Sequence, residues 1–132
     1  MDHLCITEKI IGCAISVHRT LGPGLLESTY ARCLAHEFRK HHLVFDSERI
    51  VPVYYDGIYL DCGYRMDFLV EQTVVLEVKS MEKILPLHQA QALTYMRLGC
   101  WPVGLLINFN VEILKNGIRR LYLSPRYLNP HS

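Results

Sequence analysis

No apolar stretch of this chain approaches the roughly 18 residues that a membrane span needs, and the start, with Asp2 and Glu8 and no basic segment, does not read as a secretory signal. A membrane or exported protein is therefore not expected. Five cysteines, Cys5, Cys13, Cys33, Cys62 and Cys100, are odd in number, widely spaced and without a CxxC pair, which argues against a disulfide framework or a zinc ribbon. They read as reduced, mostly buried thiols of a cytoplasmic chain, and none stands in a recognisable motif with a histidine and an acid for nucleophilic catalysis. Net charge is only +1, so no global basic field announces a nucleic-acid partner; any such surface must be local. There is no phosphate-cradling loop of the GxxxxGK(S/T) kind, which speaks against a nucleotide-binding protein or small-molecule phosphoesterase. Low-complexity tracts, repeats and linkers are also lacking. With 132 residues, half of them hydrophobic, the chain has the size of one domain with one core, residues 1–132.

What is present starts helical. Ile6, Ile10, Ala14 and Val17 recur at helical spacing and predict an amphipathic helix over about 3–20, ended by Leu21-Gly22-Pro23-Gly24. A second helix is expected from near Leu25 to about His42, with Leu26, Tyr30, Leu34 and Phe38 on its packed side and Arg32, Glu37, Arg39 and Lys40 outward. The period then changes to two. Glu48 to Tyr55 reads as a strand, Asp56-Gly57 as a tight hairpin turn and Ile58 to Asp61 as the return. A third helix is opened by Pro86 and closed by Gly99. Val103 to Phe109 reads as a buried strand, Val111 to Leu114 as a short apolar turn or strand, and Gly117 to Leu123 as the last strand. The order α-α-β-β-β-β-α-β-β describes an α/β fold, a mixed β-sheet flanked by helices.

The most informative segment lies between the second and third helices. Tyr64 to Val70 and Thr73 to Ser80 are rich in β-branched and aromatic residues, with polar Glu71-Gln72 between them, and should pair antiparallel. A three-residue loop centred on Gln72 makes paired residue numbers sum to 144, so Asp67 falls opposite Glu77 and Arg65 opposite Lys79. Alternation puts Asp67, Glu77 and Lys79 on one face. Opposed like charges destabilise a strand pair, and the neighbours Val74, Val75, Leu76 and Val78 make the strand read as buried on both faces. Buried charges are normally paired or bound to metal. A divalent cation would offset the repulsion, and a carboxylate pair with open oxygen positions suits Mg²⁺ or Mn²⁺. A solvated hairpin face with alternating charges is the bland alternative.

Gly24-Leu-Leu-Glu27-Ser-Thr-Tyr30, Tyr64-Arg-Met-Asp67, Leu76-Glu77-Val78-Lys79, His88-Gln-Ala-Gln91-Ala-Leu-Thr-Tyr95 and Gly104-Leu-Leu-Ile-Asn108-Phe together span nearly the whole chain. On these segments the chain resembles the GxxExxY family, a branch of the PD-(D/E)XK nuclease superfamily. The resemblance implies a restriction-endonuclease-like core. It also implies a Mg²⁺- or Mn²⁺-dependent, cytoplasmic, prokaryotic nuclease that hydrolyses phosphodiester bonds, of DNA in preference to RNA. Asp67 and Glu77 are similar to the superfamily's metal-binding carboxylates, and the carbonyl of Val78 to its usual backbone ligand. Lys79 resembles the lysine that positions or deprotonates the attacking water and steadies the charged phosphorane. Glu27 resembles the helix glutamate that helps hold a water at the metal, and Gln91 the helix glutamine near the scissile phosphate. His88, Tyr95 and Tyr30 are accessory candidates. Met66 stands where the superfamily's motif name has proline, and no appended recognition domain is expected. Substrate choice would then fall to this core or to a partner protein, and a homodimer would reach both strands of a duplex.

Plainer readings stand beside these. Glu27 in the first turn of a helix is also what the helix macrodipole favours. His88 could be a solvated surface histidine, and Tyr30 and Tyr95 core residues with a bonded hydroxyl. His36, Arg39, Lys40, His41 and His42 suit a helix C-terminus, and Lys115, Arg119, Arg120 and Arg126 a solvated face. The rival function is a catalytically silent module that docks nucleic acid or protein on the same fold.

Overall fold

A computed structural model describes residues 1–128. The elements run α1 (His3–Leu21), α2 (Glu27–Lys40), β1 (Phe45–Ile50), β2 (Val53–Tyr55), β3 (Ile58–Leu60), β4 (Arg65–Val70), β5 (Val74–Lys79), α3 (Pro86–Gly99), β6 (Val103–Asn108) and β7 (Ile118–Tyr122). Five strands form one mixed sheet in the order β1-β4-β5-β6-β7, and β2 and β3 form a separate two-stranded ribbon. Only β5 and β6 are parallel, and α3 is the crossover that a parallel connection requires.

The sheet is covered on both sides. Ile6, Ile10, Ala14 and Val17 of α1 and Tyr30, Leu34 and Phe38 of α2 pack on Phe68, Val70, Leu76, Val78, Leu105 and Ile107. Ala92, Tyr95 and Met96 of α3 pack with Leu69, Val75, Leu106 and Trp101 on the other face. β5 and β6 are buried almost throughout, as their continuous apolar runs predict. Fully burying one such aliphatic or aromatic side chain contributes about 1.5–3 kcal/mol, so the central pair is a rigid platform for whatever its ends carry.

Several expectations are corrected. The stretch Glu48 to Tyr55 is two strands: β1 begins earlier, at Phe45, and ends at Ile50. Pro52 has no N–H to give to a ladder, and beyond it the chain leaves the main sheet as the β2–β3 ribbon. The observed order is therefore α-α-β-β-β-β-β-α-β-β. Helix α2 is shorter than expected at both ends: Leu26, extended and exposed and not on the packed side as expected, is its N-cap, and His41 its C-cap. Helix α3 runs through Gly99, and Cys100 takes the left-handed cap at φ 57°. Gly99 is needed for a different reason, since a Cβ there would overlap the Trp101 ring. The thiols are not mostly buried: Cys13 is, Cys33 and Cys100 are half-buried, and Cys5 and Cys62 are exposed. Residues 111–113 form a turn that leads into a 3₁₀ segment, Leu114–Gly117. The Asp56-Gly57 turn has the two positive φ angles, 55° and 74°, of a tight hairpin. Among the described residues no helix is long and apolar enough to cross a membrane.

Candidate active site

The β4–β5 hairpin has the predicted register. Val70 pairs with Val74, Leu69 with Val75 and Phe68 with Leu76 across a loop of residues 71–73, and each pair of numbers sums to 144. The ladder then stops, whereas β5 stays paired with β6 through Lys79 and Asn108. β4 thus parts from β5 at Asp67. The Val78 N–H, which a continuing ladder would give to a β4 carbonyl, donates instead to Asp67 Oδ2 at 2.7 Å. Neither Asp67 with Glu77 nor Arg65 with Lys79 is therefore the ladder pair that the extrapolated register suggests; in the sheet Glu77 pairs with Leu106 and Lys79 with Asn108. A carboxylate standing in for a backbone acceptor opens the end of the sheet while leaving no orphaned amide.

Glu77 lies beneath that opening with only 7% of its surface exposed. Its Oε1 is buried without a hydrogen-bond partner. Burial, then the neighbouring charge of Asp67 and a hydrogen bond with its carboxyl, push the Glu77 carboxyl up to about 9, against a smaller opposing pull from Lys79. A buried carboxyl with one oxygen unsatisfied, beside a second, half-buried carboxyl, is an expensive arrangement. A hard divalent cation, which takes oxygen donors, would complete it. Among the described residues no three His, Cys, Asp or Glu side chains gather as a ready ligand set, so such a cation would draw its other donors from backbone oxygen and water.

Residues 5–121 match the PD-(D/E)XK nuclease superfamily. The chain belongs to it. No curated protein and no solved structure matches the chain. The five-stranded mixed sheet with helices on both faces is the restriction-endonuclease-like arrangement of that superfamily, whose members are mostly metal-dependent nucleases and include inactive ones.

Within that frame, the segment after Lys79 is tied down from three sides. Glu27 Oε1, at the first position of α2, accepts the Ser80 N–H at 3.4 Å, and the Ser80 hydroxyl donates to the Leu25 carbonyl. Asn108, buried at the end of β6, brackets Met81: its Oδ1 accepts the Met81 N–H at 3.1 Å and its Nδ2 donates to the Met81 carbonyl at 2.9 Å. Phe109 N–H donates to the Lys79 carbonyl at 2.9 Å. Lys79 itself is half-buried. Tyr30 works one layer back. Fully buried and stacked on Phe109 at 4.5 Å, its hydroxyl donates to the Gly22 carbonyl and accepts the Leu25 N–H. The loop that presents Glu27 is thereby fixed.

Helix α3 brings Tyr95 to the carboxylates. Its phenol is raised above its ordinary value by burial first and then by the charges of Glu77, Tyr64 and Asp67, and its ring lies 6.1 Å from that of Tyr64. Gln91, one turn earlier, is exposed. His88 Nδ1 accepts the Leu85 N–H at 2.9 Å, so this imidazole caps α3. On the α1–α2 side of the sheet a groove of about 640 Å³ has Asp67, Glu27 and Glu48 among its walls. Ser80, Asn108, Tyr64 and Glu48 are not among the site residues expected from the sequence, although Tyr64 and Asn108 stand in the segments that carry the resemblance. Asn108 had a signal, a polar residue closing the apolar run Val103 to Ile107; the others carry none that alternation would reveal.

Proposed function

We propose that this chain is a Mg²⁺- or Mn²⁺-dependent nuclease of the GxxExxY branch, hydrolysing phosphodiester bonds of DNA. The observation that carries it is the buried, unpartnered Glu77 Oε1 beside Asp67 at the place where β4 leaves β5. Asp67, Glu77 and the Val78 carbonyl would hold the cation, with Glu27 orienting a water next to it. The cation when bound supplies a hydroxide-generating Lewis acid and compensates charge on the transferring phosphoryl group. Lys79 aims its ammonium at the water and the developing phosphorane, a role realised in the transition state. Gln91, on the exposed side of α3, would contact the scissile phosphate, and Tyr95 would be an accessory residue beside the carboxylates. His88 and Tyr30 serve as positioning residues through the cap and the Gly22 loop. Binding of DNA in preference to RNA, a cytoplasmic setting, and a second copy or partner protein that supplies specificity complete the reading.

The test is incubation of the purified protein with single-stranded, duplex and branched DNA and with RNA, in EDTA, Mg²⁺ or Mn²⁺. Cleavage of a DNA form that needs Mg²⁺ or Mn²⁺ and stops in EDTA is expected. Binding without cutting under every metal condition would replace the enzyme with the docking module.

A further inference from the structure

The walls of the 640 Å³ groove change character along its length. At one end stand Glu27, Asp67 and Glu48, the last directly across from Asp67 at the one interruption of the β1–β4 pairing, between Ser47↔Phe68 and Arg49↔Met66. At the other end Arg39 lies over the Phe45 ring, 5.3 Å from its centroid. Arg32 stands between, on α2. Ser28, Ala31, Arg32, Ala35 and Arg39 share one face of that helix at i, i+3, i+4, i+7 and i+11, and the groove is lined there by small side chains, Ser28 and Ala31 ahead of Arg32 and Ala35 between the two arginines. From Glu27 to Arg39 the helix rises about 18 Å, a length over which one nucleic-acid strand carries about five phosphates.

Neither arginine is held by a carboxylate among the described residues. Neighbouring charges are paired, Lys40 and His41 with Glu37 and Arg49 with Asp46. Among the described residues Arg32 and Arg39 have no ion pair with any carboxylate, although Glu37 lies on the same helix. Both arginines line a groove whose walls also include Asp67 and Glu27. We infer that this groove is the track for one strand of the nucleic acid, with Arg32 and Arg39 each holding a backbone phosphate and the strand delivered to Asp67 and Glu77 at its acidic end. Arg39 is braced for that task by its stacking on Phe45, since guanidinium forks match phosphate geometry and tolerate an aromatic face. The inference rests on the nuclease reading and specifies which surface receives its substrate.

Fluorescence anisotropy of the full chain with a labelled single-stranded oligonucleotide, DNA and RNA of one sequence, tests it across a salt series in Ca²⁺. Arg32→Ala and Arg39→Ala should each reduce the slope of log affinity against log salt by about 0.7, and the double variant by about twice that. Arg39→Lys should restore the parental slope, because the ammonium keeps the phosphate contact while losing the fork. Lys115→Ala, in a separate groove beside Ile11 and Ile15, should leave the slope unchanged. Melting temperatures and Mn²⁺ binding of the arginine variants should match the parent, which separates lost contacts from lost structure. A parental slope in the double variant would overturn the track while leaving the nuclease reading standing. Failure of the parent itself to bind either probe would overturn both.

Discussion

Glu77 is the residue on which the chemistry turns, and its protonation makes a prediction independent of any substrate. Its carboxyl titrates near 9 in the folded chain, against an ordinary 4.5. Between those values the native protein keeps a proton that the unfolded chain has already released, so the contribution is favourable at low pH and is lost as pH rises through the window. Metal-free protein should therefore melt at progressively lower temperature from about pH 5 to pH 9. Glu77→Gln, neutral at every pH and nearly isosteric, should flatten that decline and melt above the parent at pH 8, as read by calorimetry. A Gln variant that follows the parental decline would show that another group sets it. Tyr30 makes the structural counterpart. Its hydroxyl makes two hydrogen bonds to the Gly22–Leu25 loop, so Tyr30→Phe should cost about 1–3 kcal/mol through the loss of two bonds worth about 0.5–1.5 kcal/mol each, measured by urea unfolding. A change below a few tenths of a kcal/mol would mean that the loop holds itself.

Among the elements, the β4–β5 hairpin was the most legible, and the reason is physical. Val74 to Val78 is buried on both faces, and a one-residue slip would flip every side chain, so composition and the short polar turn at Glu71-Gln72 specify the register that is observed. α1 was equally legible from Ile6, Ile10, Ala14 and Val17, all of them buried. The β1–β2 boundary was not. Strand residues on either side of Pro52 look alike to alternation, and only the tertiary structure tells that one set joins the main sheet while the other becomes a ribbon with Tyr54, Tyr55, Ile58 and Tyr59 exposed. The end of the β4–β5 ladder was equally hidden, because alternation assumes that pairing continues, and Asp67 replaces a backbone acceptor by a side chain. For the site, the two carboxylates and the lysine were readable as an odd placement of charge in an apolar strand. The bonds that tie Ser80 to Leu25 and Asn108 to Met81 were not readable, because they join residues 55 and 27 positions apart.

At the scale of the molecule, both helical layers and the sheet serve one opening at the start of β4 and the end of β5. α2 brings Glu27 and the arginine-lined groove, β6 brings Asn108, and α3 brings Tyr95 and the cap that fixes His88. If the chain cuts nucleic acid, Lys79→Ala should lower the single-turnover rate at least a hundredfold, on the order of the loss from removing one transition-state donor. Affinity for a DNA probe in Ca²⁺ should stay within a few-fold, since one cation of several is lost; equal loss of rate and affinity would make Lys79 a binding residue. The most direct test of the central claim needs no substrate. Calorimetric titration of Mn²⁺ into the parent at pH 8 should give a weak site of the carboxylate kind, and both Asp67→Ala and Glu77→Gln should abolish or greatly weaken it. Undiminished Mn²⁺ binding by Asp67→Ala would contradict the shared carboxylate site.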